Sequence, residues 1–340
     1  MGLWPAIIKT AAAPWVVQEL GAEEARADLV RRAVGNEYLH VHLLAMRLPY
    51  ERRWTSRYHC SLTSYTRLEH AGPTPVEFLL TTSPASMRGI TGDKLAKVPI
   101  GPTRLAGPVP YLGGPLDIEI GLFAIKEKDL AEPYLDFLQS VGELAGVSFV
   151  APALSLIRPL KDGLNALVGT RDSVLGVGAV RTFTPVRTGV FAVLATTSTA
   201  LARRQCVLSD DVLCWHDGSP VTDVAYVVFS IEASAARADW ARLPEVGPVY
   251  AALLSAARAD RLPAVKKLLA QFERTVLLSP DLIESDAETI VAAVKRRVER
   301  AMPAAGQTLS QIDLPAFVDL GVFPRAASEP ANRNLVAMPR

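Results

Sequence analysis

The chain has 340 residues, with 36 basic against 35 acidic side chains and a formal net charge of +1. Apolar residues make up 49% and charged residues 21%, a globular composition that excludes a disordered chain and allows a large core without disulfides or structural metals. Nucleic-acid binders show a basic excess or stripe; here the pairs Arg31–Arg32, Arg52–Arg53, Arg203–Arg204 and Arg296–Arg297 read as solvated faces or loop ends, so no nucleic-acid partner is expected.

The first nine residues lack a basic start followed by a long apolar core, and Glu19, Glu23 and Glu24 soon follow, so no signal peptide is expected. Ala6 stands where a myristoylation signal wants Ser or Thr. Residues 19–32 are rich in Ala, Leu, Glu and Arg, which predicts a helix stopped by Gly35 and Asn36. Strand formers then dominate residues 38–48, 57–68 and 76–82, punctuated by Pro49, Pro73 and Pro75. Residues 98–115 are dense in Pro and Gly and read as a long ordered loop or crossing connection, before an alternating strand at 117–125.

Residues 130–145 and 153–168 carry apolar side chains at helical spacing and predict an inserted helical pair, although Pro159 and Gly163 interrupt the second helix. Strands resume at 174–183, 189–196, 207–215 and 225–231; Asp210–Asp211 is a turn signal inside the third, which allows two shorter pieces. Three amphipathic helices follow at 244–259, 263–277 and 286–301, the first two with Pro at or near their starts and the third with Ser285 and Glu288 at capping-box spacing. The final residues turn polar and read as a loose tail.

The fold class that follows is α+β: a mainly antiparallel, sandwich-like β body at 36–232 with a helical insertion at 130–168. An N-terminal helical segment at 1–35 precedes it, a small helical unit at 233–303 follows, and 304–340 is an extended tail.

His40 and His42 are the sharpest candidate site. Two apart on a strand, they point to one face, and two imidazoles there could hold a zinc with His59 or Cys60 as a third ligand. A polar sheet face accounts for them more simply, because a ligand pair without its partners is weak evidence of a metal, and alternation sends the nearest acid, Glu37, to the opposite side. Cys214 and His216 share a strand face, but neighbours on one strand point in parallel and do not converge as a nucleophile and its base must. The chain has no Gly-Lys-Ser/Thr phosphate loop, no Gly-x-Ser-x-Gly elbow and no His-Glu-x-x-His motif. No cofactor and no catalytic residue are expected.

The three cysteines, Cys60, Cys206 and Cys214, are too few and too odd for a disulfide framework, which points to a reducing, cytoplasmic setting. The uncharged start of 145–168 is too short to span a bilayer; it could lie in a membrane interface or dock a partner, though a core hairpin explains it better. The reading favours a non-catalytic interaction or scaffold component of a larger assembly, with a protein partner. A membrane-acting protein using 145–168 and a metal- or thiol-dependent hydrolase are the alternatives. High Ala, Arg and Val content suggests a bacterial source.

Overall fold

The computed structural model describes residues 15–21, 36–49, 52–53, 56–68, 75–81, 103–126, 174–202, 204–210 and 212–302. The chain divides into two compact units, Met1–Ala235 and Ala236–Arg340.

The first unit contains the strands β1 (Val16–Leu20), β2 (Tyr38–Arg47), β3 (Arg52–Arg53), β4 (Ser56–Leu68), β5 (Val76–Thr81), β6 (Thr103–Pro110), β7 (Leu116–Lys126), β8 (Val174–Phe183), β9 (Gly189–Leu194), β10 (Cys206–Ser209), β11 (Val212–Trp215) and β12 (Tyr226–Ser234). A short helix, α1 (Ser198–Ala202), precedes β10. One five-stranded sheet runs β1-β9-β12-β2-β6; a second runs β3-β4-β7-β8 with β5 also on β4; β10 and β11 form a separate hairpin. The pairings are antiparallel.

The two sheets share one core. Leu39, Val41 and Leu43 of β2 and Phe229 and Ile231 of β12 belong to the same buried cluster as Leu62 and Leu68 of β4 and Ile118, Ile120 and Leu122 of β7. These side chains recur every second residue, as the pleat requires of strands facing a common interior. Phe183 and Phe191 meet edge-to-face with centroids 4.9 Å apart, a favoured aromatic geometry. The opposite face of the first sheet is covered at one end: Ala192, Leu194 and Val228 pack with Leu201 of α1 and with Cys206, Leu213 and Trp215 of the β10–β11 hairpin.

Several sequence expectations change here. The Pro- and Gly-rich stretch is not simply a loop, because residues 103–110 form β6. β6 is an edge strand, where Pro108 and Pro110 need donate no ladder hydrogen bond on their open side. The N-terminal helix does not begin at Glu19, since Glu19 and Leu20 close strand β1. The β-branched pair Val16–Val17 suits a strand, and pairing with β9 outweighs the helix-forming composition that follows. The rest of that expected helix, the inserted pair at 130–168 and the tail lie outside the described residues. The strand expected at 207–215 is two, joined through a turn in which Asp210 takes φ +47, a conformation Asp tolerates.

Among its described residues the second unit holds a 3-10 turn (Trp240–Arg242) and three helices, α2 (Val246–Arg258), α3 (Leu262–Leu277) and α4 (Glu284–Ala301). Pro263 lies in the first turn of α3, where a missing N–H costs nothing. The capping box expected at the start of the last helix does not form: Ile283 is the N-cap, and Ser285 and Glu288 lie within the helix. Glu284 and Asp286 in the first turn offset the exposed helix N–H groups instead.

The unit closes on Trp240, Tyr250 and Phe272, whose ring centroids lie 4.9, 6.0 and 5.6 Å apart pairwise. Beside this core Arg237 is fully buried. Its Nε donates to Asp239 Oδ1 at 2.8 Å, its Nη1 to the Asp281 carbonyl at 3.2 Å, and its backbone N–H to Asp286 Oδ2 at 2.9 Å. No described helix is long and apolar enough to cross a membrane.

Candidate functional site

The central strands β2 and β12 carry a polar ladder on the face turned away from the shared core. Register sets His42 opposite Ser230 and His40 opposite Glu232. On β12, Ser230, Glu232 and Ser234 recur every second residue, so they share a face. The two imidazoles stack, with centroids 5.7 Å apart and planes inclined by 17°. The structure thus brings His40 and His42 together as the sequence implied, and adds a carboxylate that the sequence did not reveal.

Part of the ladder is satisfied within itself, while the buried His42 Nδ1 has no hydrogen-bond partner among the described residues. His40 Nε2 lies 2.6 Å from Ser234 Oγ, and the Ser230 hydroxyl donates to Glu232 Oε1 at 2.5 Å. His42 Nδ1 is 3.6 Å from Glu232 Oε2, an ion-pair separation too long for a hydrogen bond. His42 is the largest cause holding the Glu232 carboxyl down to about 2; partial burial opposes it and the Ser230 hydroxyl assists it. On the far side of β2, Arg104 of β6 stands opposite His42.

A hydroxyl against an imidazole with a carboxylate nearby invites comparison with a nucleophile, its base and an orienting acid. The connectivity differs: the hydroxyl contact is to His40, whereas the carboxylate sits against His42. Acyl transfer also needs free donors aimed at a developing oxyanion. β2 and β12 are interior strands, and β12 is paired with β2 on one side and, from Tyr226 to Ile231, with β9 on the other, so the backbone N–H groups in those stretches are committed to ladders.

As for a metal, among the described residues no group of three or more His, Cys, Asp or Glu side chains is placed to hold one. His59, the expected third ligand, stands on β4 in the other sheet, opposite Ile125. The side chains of His59 and Cys60 lie outside the described residues.

The thiol candidates separate. Cys206 pairs with Trp215 and Cys214 with Val207 across the hairpin, and both thiols are free and buried. Burial, then the neighbouring Cys214, pushes the Cys206 thiol up to about 11, the opposite of what an attacking thiolate needs. His216 is exposed at the turn, its backbone N–H donating to the Gln205 carbonyl at 2.8 Å.

A second polar cluster, on β4 and β5, also escaped sequence reasoning. The Tyr65 hydroxyl donates to Glu77 Oε1 at 2.7 Å, and burial, followed by Glu77, drives the Tyr65 phenol well above its usual range. Such a phenol stays protonated and serves as a fixed donor. Only strand pairing reveals either cluster, because each joins residues from different strands.

No protein-family model, curated protein or solved structure matches the chain.

Proposed function

We propose that the chain is a non-catalytic component of a larger bacterial protein assembly, working in the cytoplasm and binding a protein partner through its helical unit. The observation that carries this reading is the set of large apolar side chains that α3 and the residue after it leave in solvent. Leu262 is 50% exposed, Leu277 46% and Leu278 75%. The interior of the same unit is closed around an aromatic trio and a buried ion network. A unit with a closed core that holds leucines in water has a surface suited to a partner's apolar residues. On β2 and β12 the Ser234 and Ser230 hydroxyls are engaged by His40 and Glu232, which fits a non-catalytic role as well.

The test is co-purification of the tagged full-length protein from its native host, with native mass measurement. A protein partner at fixed stoichiometry is expected. Recovery of the bare chain at native concentration would sink the reading. Liposome flotation and elemental analysis would then probe the membrane and metal alternatives.

A further inference from the structure

The overall charge balance of the chain conceals a local imbalance. From Val246 to Leu278 the sequence places five basic residues, Arg258, Arg261, Lys266, Lys267 and Arg274, against two acidic ones, Asp260 and Glu273. Glu273 is already engaged, its Oε1 2.7 Å from Lys295 Nζ of α4. Helical spacing sets Lys266, Lys267, Ala270, Arg274 and Leu277 along one side of α3, and all five are exposed. Val265, Phe272 and Val276, on the other side, are buried. The outward face is therefore a basic strip with exposed leucines at its two ends, about 22 Å apart at 1.5 Å per residue.

We infer that this face of α3 is the docking surface for an acidic segment of a partner protein, which lies along the helix with its carboxylates on Lys266, Lys267 and Arg274 and an apolar residue against Leu277 and Leu278. The inference rests on the proposed role as a partner-binding assembly component, called the adaptor reading below, and names the chemistry of its partner. Charge complementarity selects an acidic occupant. A lipid surface fits less well, because an interfacial helix inserts its apolar face and that of α3 is buried within the unit. Nucleic acid fits less well too, since the adjoining helix α4 exposes Glu284, Glu288 and Glu299 alongside Arg296 and Arg300, a mixed surface where a phosphate track wants one sign of charge.

The test uses the full-length protein in its native host, with a photo-crosslinking residue in place of Ala270 and, as control, of Thr289 on α4. The expected result is a crosslink at 270, not at 289, to a partner segment rich in Asp and Glu. Lys266→Glu/Lys267→Glu/Arg274→Glu should reduce that crosslink at least about tenfold. A neutral variant, Lys266→Gln/Lys267→Gln/Arg274→Gln, should also reduce it while leaving the thermal melt unchanged, which separates lost charge from lost folding.

Several results would overturn the docking surface: an equal crosslink in the charge-reversed chain, no excess over position 289, or a captured segment that is not acidic. So would binding of vesicles containing phosphatidylserine, or of a short DNA duplex, that depends on the same three side chains. A partner that co-purifies undiminished with the charge-reversed chain removes the docking surface but leaves the adaptor reading intact. Absence of a partner from the wild-type purification removes the adaptor reading itself.

Discussion

Arg237 has no exposed surface, and its charge is met by Asp239 Oδ1 at 2.8 Å and Asp281 Oδ1 at 3.5 Å, while Asp286 accepts its backbone N–H. Breaking a buried ion pair from one side leaves the other side charged and unpaired, which costs more than the intact pair contributes. Arg237→Met should therefore destabilise the protein by about 3–5 kcal/mol, read as a lower urea midpoint for the helical signal in far-ultraviolet circular dichroism. Glu232 is the opposite case, a carboxylate with its side chain 53% exposed. Its folded value of about 2 lies below the ordinary 4.5, so its contribution is full above about pH 4.5 and is lost as pH falls toward 2. Solvent screening keeps that contribution at or below about 1 kcal/mol. The melting-temperature gap between wild type and Glu232→Gln should be open near pH 5 and close between about pH 4.5 and 2. A gap that stays constant to pH 2 would show that His42 does not hold the carboxylate.

Two glycines decide how their elements sit. Gly107 on β6 has φ +82, and a Cβ there would lie 2.1 Å from the Leu39 carbonyl oxygen of β2. Gly107→Ala should cost at least about 2 kcal/mol, because both the backbone conformation and the close approach oppose it; thermal unfolding checks this. At Gly247 in α2 two effects compete. Alanine improves helix propensity by about 1 kcal/mol, but its Cβ would stand 2.7 Å from the Ala241 carbonyl oxygen. The obstacle is backbone rather than a flexible side chain, so the clash wins and Gly247→Ala should destabilise by about 1–2 kcal/mol, measured by urea titration. The same close approach explains what the sequence could show. β2, β4 and β7 were legible because alternation is local. β6 was not, because its prolines and Gly107 are tolerated only through its place at a sheet edge and its approach to β2. Glu19 and Leu20 open a stretch of helix-forming composition, yet they close β1, where they pair with β9. The candidate site divides in the same way: His40 and His42 follow from a two-residue spacing, whereas Ser234, 194 positions from His40, joins them only through the pairing of β12 with β2.

At the scale of the whole molecule, each unit closes its own core. Leu39, Val41, Ile118 and Ile120 belong to the interior shared by the two sheets. Trp240, Tyr250 and Phe272 form the aromatic centre of the helical unit. The amphipathic periods of α2, α3 and α4 made the helical unit visible in the sequence, since each helix buries one stripe and the three stripes close a core together. Separate cores imply separate opening reactions. Phe272→Ala removes the ring that contacts both Trp240 and Tyr250 and should cost about 3–5 kcal/mol within its own unit. Hydrogen exchange should then quicken across α2, α3 and α4, with protection in β2, β7 and β12 unchanged. Exchange that accelerated equally in the strands would mean that the two units open as one, and a destabilised helical unit could then unfold the whole chain. Independent opening would instead let a partner tighten the helical unit, by mass action on its folded state, without altering the strands of the first unit.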